Sequence, residues 1–345
     1  MTKPTKPKKR YVVGAIAGGL SFLALEFFLR TAVGLATPAL VITDAKTGYR
    51  FKPNQSVTRL GNRITYNQYS QRSDAIQADK PDNTLRILMV GDSVLNGGSH
   101  ITQADTITEK LETKLLEQNY PAEVLNASAG SWGISNLKGY LDKFGTFQSD
   151  IVILQIGSHD LIQPTSTSDA VGRASHPDKS PLLATQALIT HYIWPQVSKK
   201  FGNQSKLADE IPDALSPEQQ FQQNMDSLSE LAQTLAEQDV PLYILYTPAR
   251  ADVLSGDRTS EHKAAFTQKL TDLSLPLIDV QAAWTITPAE TIGTYFRDRV
   301  HLSAAGNEAV TALLYETLIA VPAVTEKSNN FPSNKISHQN KLMRE

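Results

Sequence analysis

The stretch RILMVGDSVLNGG, Arg86 to Gly98, carries the reading of the whole chain. Four apolar residues, Ile87 to Val90, run into a Gly-Asp-Ser corner and then into a second cluster of small residues. A short apolar run bounded by turn residues predicts a strand buried on both faces. Runs of the same kind recur at 86–90, 122–125, 151–156, 241–246 and 275–280, with helical patterns between them. Ile107, Leu111 and Leu115 are four apart, and Phe221, Met225, Leu228, Leu231 and Leu235 three or four apart. That is the period of a helix face turned to a core. Alternating strands and helices imply an α/β fold: three layers, α/β/α, around a central, mostly parallel sheet built from the five runs.

Ser93 falls just past the C-terminal end of the first of these strands, the edge at which open parallel sheets bind ligands. A buried strand cannot expose a nucleophile, so reactive groups gather where the strand ends. A serine hydroxyl also needs a base. Of seven histidines, His301 stands apart, in YFRDRVHLSAAGNEAVTALLYETL, with Asp298 three residues before it and a helix expected from Ser303. An Asp one turn away can hold the imidazole in the tautomer whose other nitrogen accepts a proton. By itself Asp-x-x-His also describes a surface turn leading to a capping serine.

Taken together these residues resemble the SGNH hydrolases, also called the GDSL family. The first block of that family appears as Gly91-Asp92-Ser93 with Gly97, the second as NASAGSWG with Asn126 and Gly130, and the last as Asp298 and His301. The blocks follow the family's order across about residues 84–320. The resemblance implies a flavodoxin-like α/β/α fold and a catalytic triad of Ser93, His301 and Asp298. It also implies an oxyanion hole made by the amides of Ser93 and Gly130. The third block departs from the pattern: where the family has Gly-x-Asn-Asp, this chain has Gly157-Ser158-His159-Asp160. Since an imidazole can donate from either nitrogen, His159 is expected to be the third oxyanion donor. Asp92 and Asp160 are expected to brace turns through backbone N–H groups. His100, His176, His191, His262 and His338 read as surface or packing residues, and Arg250, after the fourth strand, as a solvated side chain at the same edge.

Composition bounds the alternatives. Across 345 residues, 33 Lys and Arg face 35 Asp and Glu, a net charge of −2 that gives no field for nucleic acid. The absence of cysteine excludes disulfides, thiol nucleophiles and cysteine zinc sites. There is no Gly-x-Ser-x-Gly elbow, no phosphate-binding Gly-x-x-x-x-Gly-Lys-Ser/Thr loop and no His-Glu-x-x-His helix, so no cofactor or metal is expected.

The organisation reads as a basic segment (1–10), a transmembrane signal anchor (11–30), an irregular membrane-proximal segment with short strands (31–83), the hydrolase domain (84–325) and a disordered polar tail (326–345). Lys3, Lys6, Lys8, Lys9 and Arg10 before the apolar run place the N-terminus in the cytoplasm and the rest outside it. Glu26 and Arg30, four apart, are placed to pair near the outer interface. A signal peptide cleaved near Gly34-Leu35-Ala36 and a buried core helix are the alternatives. An insertion at about 161–217, containing the aromatic patch LITHYIWPQV, is placed as a lid beside the sheet. The expected function is an extracytoplasmic serine esterase acting on an acyl or acetyl ester of a carbohydrate, lipid or other envelope component. A polysaccharide O-acetyltransferase of the same fold and an inactive glycan-binding module are the alternatives.

Overall fold

The structure, a computed structural model, describes residues 8–194, 197, 215–254, 262–321 and 324–325. The basic residues before 8 and the tail at 326–345 lie outside the described residues. Helix α1 (Lys8–Phe28) continues through a π turn (Leu29–Val33) and stops at Gly34. The apolar span Tyr11–Val33, 23 residues, is long enough to cross a membrane, as a signal sequence or an anchor would. Its side chains, from Tyr11 to Phe28, are mostly exposed, so it is not the core helix that composition alone allowed. At Gly34 φ is +74°, and a Cβ would lie 2.0 Å from the Thr58 carbonyl oxygen. Only glycine lets the chain leave the helix so close to that backbone.

Two antiparallel hairpins follow, β1 (Val41–Asp44) with β2 (Gly48–Phe51) and β3 (Gln55–Arg59) with β4 (Asn62–Tyr66). They are the short strands expected of the membrane-proximal segment. The main domain then alternates: β5 (Leu85–Gly91), α2 (Ser93–Asn96), α3 (Ile107–Glu117), β6 (Ala122–Ser128), α4 (Ile134–Phe144) and β7 (Ile151–Gly157). After the insertion, which carries α5 (Ala184–Leu188), come α6 (Pro217–Glu237), β8 (Leu242–Thr247), α7 (Lys263–Asp272), β9 (Leu277–Asp279) and α8 (Ala304–Leu318). The five strands form one sheet in the order β6-β5-β7-β8-β9, and every neighbouring pair is parallel.

Successive residues of a strand point to opposite faces, and the core divides accordingly. Leu88, Val90, Val152 and Leu154 pack under α4 and α6, whereas Ile87, Met89, Ile151 and Ile153 pack under α3 and α8. Arg86 opens the run in β5 and is fully buried. Its guanidinium meets Glu123, its register partner on β6, at 2.7 Å and donates to the carbonyls of Gln77, Ala78 and Phe147. A buried charge persists when it is paired and hydrogen-bonded in this way.

Of the insertion, Ala174, Ser175 and Pro177 line the groove that holds Ser93. Helix α5, further along the insertion, packs on Leu29, Leu35 and Ala36 at the exit of α1. Glu26 and Arg30 pair there at 3.1 Å, as their spacing suggests.

Candidate active site

Strand β5 ends at Gly91, and Asp92 caps the short helix α2 by accepting from the Val94 amide at 2.7 Å. That cap places Ser93 at the first helical position, where a backbone N–H has no intrahelical partner. Gly97 closes the helix with φ +74°, a left-handed value suited to glycine. Asn126, in β6, ties the loop to the sheet by donating to the Leu95 carbonyl (3.1 Å) and to Thr108 Oγ1 (3.0 Å). The buried Arg72, whose own amide donates to the Asn126 carbonyl at 2.8 Å, donates from its guanidinium to the carbonyls of Asn96, Gly98 and Ile101. The loop that follows Ser93 is therefore held by two side chains.

The loop before α8 brings His301 to this corner from 208 residues away: His301 Nε2 lies 2.9 Å from Ser93 Oγ. On its other side Nδ1 faces Asp298 Oδ2 at 2.8 Å, and Asp298 also accepts from the amides of Val300 (3.0 Å) and His301 (2.9 Å). Partial burial works against the Asp298 carboxylate, but these hydrogen bonds outweigh it and hold the group down to about 2. The carboxylate is thus ionised and fixes His301 with Nδ1–H towards Asp298 and the Nε2 lone pair towards Ser93.

Gly130 lies past the end of β6, beside Ser93. Among the described residues, neither the Ser93 nor the Gly130 amide donates to a protein acceptor. A Cβ added at Gly130 would meet nothing nearer than Tyr49 Oη at 3.8 Å, so the position opens into free space. The Gly130 carbonyl is held from behind. Buried Tyr49 donates its hydroxyl to Gly130 O, and Tyr49 Oη lies 2.9 Å from His176 Nε2. Burial pushes the Tyr49 phenol above its usual range and so keeps it a donor. Ser93, Gly130 and His301 line a narrow groove of about 290 Å³ together with Arg59, Asn96 and Arg297. His301 also borders a wider cleft of about 900 Å³, where Arg250, Arg299 and His159 appear.

His159 comes to this edge, but turned differently from the sequence expectation. Its Nε2 lies 2.8 Å from Asp92 Oδ2 and 3.4 Å from Asp160 Oδ1. One of its two ring nitrogens is thus committed to carboxylates. The physical reason is local: Asp92 Oδ1 is taken by the Val94 amide and Asp160 Oδ2 by the Gly157 amide, leaving one oxygen of each acid facing the ring. Burial opposes an imidazolium, but Asp160 and Asp92 outweigh it and raise His159 to about 9. Burial beside Asp92 pushes Asp160 up as well. Asp92, His159 and Asp160 are residue types that ligate metals and their polar atoms cluster, yet the protonated ring between the two acids already accounts for these contacts. Asp92 and Asp160 brace turns as expected.

The profile of the GDSL-like lipase/acylhydrolase family matches residues 89–309, from within β5 into α8. This chain belongs to that family. Its members are ester hydrolases, and the matched residues contain the Ser93, Gly130, Asp298 and His301 constellation. No sequence among the curated proteins matches the chain. Solved structures similar to this GDSL protein include the acetyl xylan esterase AlAXEase (15% identity, 68% of this chain and 100% of that one, TM-score 0.43). Others are the psychrotrophic esterase EstA from Pseudoalteromonas sp. (15%, 69% and 98%, 0.40) and the acetylxylan esterase Axe2 from Geobacillus stearothermophilus (15%, 70% and 96%, 0.43).

Sequence reasoning missed Tyr49, Arg72 and His176. The first two lie in the segment read as irregular, and His176, read as a surface or packing residue, packs on the Tyr49 ring. Their partners come from distant parts of the chain, and no local pattern signals that.

Proposed function

We propose that this GDSL protein is a membrane-anchored serine esterase that removes acyl or acetyl groups from a carbohydrate or other component of the cell envelope. The observation that carries the reading is the continuous chain Ser93 Oγ, His301 Nε2, His301 Nδ1, Asp298, at 2.9 and 2.8 Å, opening onto a groove beside two amides without protein acceptors. Ser93 Oγ attacks the ester carbonyl carbon while its proton passes to His301 Nε2. The oxyanion is held by the Ser93 and Gly130 amides, donors already in place before the charge develops. His301 then returns the proton to the departing alcohol, leaving an acyl-Ser93. A water, deprotonated by the same nitrogen, releases the acid and restores Ser93. Asp298 orients the ring and stabilises the imidazolium.

His159 serves from behind. Ser93 Oγ lies 3.3 Å from Asp92 Oδ2, the same oxygen that faces His159 Nε2. An imidazolium on that oxygen satisfies it, so the Ser93 proton goes to His301 rather than to Asp92. Transfer of the acetyl group to a sugar hydroxyl instead of water is the second reading, favoured by the roomier cleft that reaches His301 from its far side. The five basic residues before the apolar span support a cytoplasmic N-terminus and an extracytoplasmic domain.

The test uses the full chain in detergent with an aryl acetate and a fluorophosphonate serine probe. Wild type hydrolyses the ester and is labelled, whereas Ser93→Ala is folded, unlabelled and slower by several orders of magnitude. A folded wild type that neither turns over nor takes the probe would exclude catalysis. Adding a sugar acceptor distinguishes transfer, since acetylated sugar then forms at the expense of acetate.

A further inference from the structure

We infer that the segment 182–194 is a foot seated in the lipid surface, which holds the Ser93 groove against the membrane. The inference rests on the anchor reading of α1 and extends it. Near the end of the apolar span, Glu26 accepts from the amides of Ala184 (2.6 Å) and Thr185 (3.0 Å) and from Thr185 Oγ1 (3.1 Å). Arg30 donates to the Leu182 carbonyl at 2.7 Å. Leu29, Leu35 and Ala36 pack on Ala184 and Ala187. The start of the segment is therefore bonded to the end of the span.

Leu182, Ile189, Tyr192, Ile193 and Trp194 are all exposed; Leu182 is 88% and Trp194 65% accessible. Single exposed apolar residues are ordinary, but a cluster this dense marks a surface that another apolar phase covers. Here the neighbouring phase is set by continuity: the bilayer that receives Tyr11–Val33 ends where this cluster begins. Tyr192 and Trp194 are the ring types that settle at a membrane interface, apolar body inward and polar edge towards water.

The catalytic groove is tied to the same place. Pro38 and Ala39, just after the span, and Pro177, just before the foot, form part of its wall with Arg59. A chain advances at most about 3.6 Å per residue, so Gly34 and Pro38 are no more than roughly 15 Å apart. The junction is also fixed, since the Leu60 amide donates to the Val33 carbonyl at 2.8 Å and Gly34 abuts Thr58. The span and the foot together orient the groove towards the membrane surface. The ester such a groove meets is one borne by a lipid or a lipid-linked glycan, not one diffusing freely.

The test places the full chain in phosphatidylcholine nanodiscs with and without brominated acyl chains. Of three tryptophans, Trp132 and Trp284 are buried, which leaves Trp194 as the exposed reporter. The expected result is bromolipid quenching of an emission component that Trp194→Phe lacks and that aqueous acrylamide does not reach. A chain held in the discs whose Trp194 is quenched by acrylamide and not by bromolipid overturns the foot and leaves the anchor standing. A chain that does not enter the discs overturns both. In parallel, the combined Ile189→Gln, Ile193→Gln and Trp194→Gln variant should hydrolyse a vesicle-embedded ester several-fold more slowly while keeping its rate on a soluble aryl acetate. Equal rates on the vesicle ester would refute the proposal, and loss on both substrates would contradict its claim that the foot acts only at the membrane.

Discussion

Replacing His159 by Asn removes a half-buried charge and should leave a measurable pH signature. In the folded chain, Asp92 Oδ2 at 2.8 Å and Asp160 Oδ1 at 3.4 Å raise the imidazolium from 6.5 to about 9 against the cost of burial. That is a rise of about 2.5 units, and at about 1.36 kcal/mol per unit it corresponds to ~3 kcal/mol of stabilisation. Because the folded value is the higher one, the contribution is complete below the unfolded value near 6.5. It fades as pH rises through about 9. Asn cannot titrate, so the variant lacks this term at every pH. For a domain of this size each kcal/mol moves Tm by about 2–4 °C. Wild type should therefore melt roughly 6–12 °C above His159→Asn at pH 6, and the gap should close by pH 10.

The assay is near-ultraviolet circular dichroism melting of the detergent-solubilised full chain from pH 6 to 10. Glu112, which burial raises to about 7, also titrates near the lower end of this range. Glu112 is present in both proteins and cancels in the difference, whereas Asp160, pushed up by burial and by Asp92, loses the imidazolium in the variant and so contributes to the gap. Two melting curves that run parallel over the whole range would refute the charged His159 between two acids. The same loss of charge should lower kcat with little change in KM, because Asp92 Oδ2 then competes for the Ser93 proton.

Three further outcomes follow from the site. Asp298→Asn should cost about 10⁴ in kcat, with KM nearly unchanged, because the His301 ring loses the partner of its Nδ1; steady-state kinetics on an aryl acetate measure this. Tyr49→Phe releases the Gly130 carbonyl and should lower kcat about tenfold, a fraction of the ~10²–10³ that a lost oxyanion donor costs. Its KM should stay near wild type. Finally, a reporter active only in the cytoplasm, fused after Glu345, should give no signal, whereas one active only outside should.

The elements legible in the sequence were those fixed by local chemistry. Strands buried on both faces become unbroken apolar runs, and all five appeared where those runs predicted. The sheet proved wholly parallel, because each connection between its neighbours crosses over through helical chain. Ser93 was visible because parallel sheets concentrate chemistry at the C-terminal strand ends, Asp298 and His301 because three residues separate them, and Gly130 through the resemblance of its block to the family's. Arg86 was hidden in its own run, since its neutralising partner Glu123 is found only once β5 and β6 are known to pair in that register. The patch at 188–197 was conspicuous in sequence, but the bond from Ala184 to Glu26 could not be read there, because Glu26 lies 158 residues earlier.

His159 shows why a substitution within a motif can be read correctly for position and differently for chemistry. An Asn side chain offers two N–H groups from one nitrogen, so it can satisfy a neighbouring carboxylate and still point a donor elsewhere. An imidazole divides its donors between nitrogens on opposite sides of a rigid ring. Once Nε2 is drawn to Asp92, Nδ1 is left on the Gly157 side, where a Cβ on that glycine would come within 2.8 Å of it. What the ring supplies in exchange is a full positive charge, one carboxylate away from Ser93. A charge acts over longer range than a hydrogen bond and depends less on angle, so it can favour the developing oxyanion without touching it. His159→Asn restores a potential donor and removes that charge. A fall in kcat for this variant that persists where both proteins are fully folded would therefore assign the contribution to charge, whereas a rise would assign it to the missing amide donor.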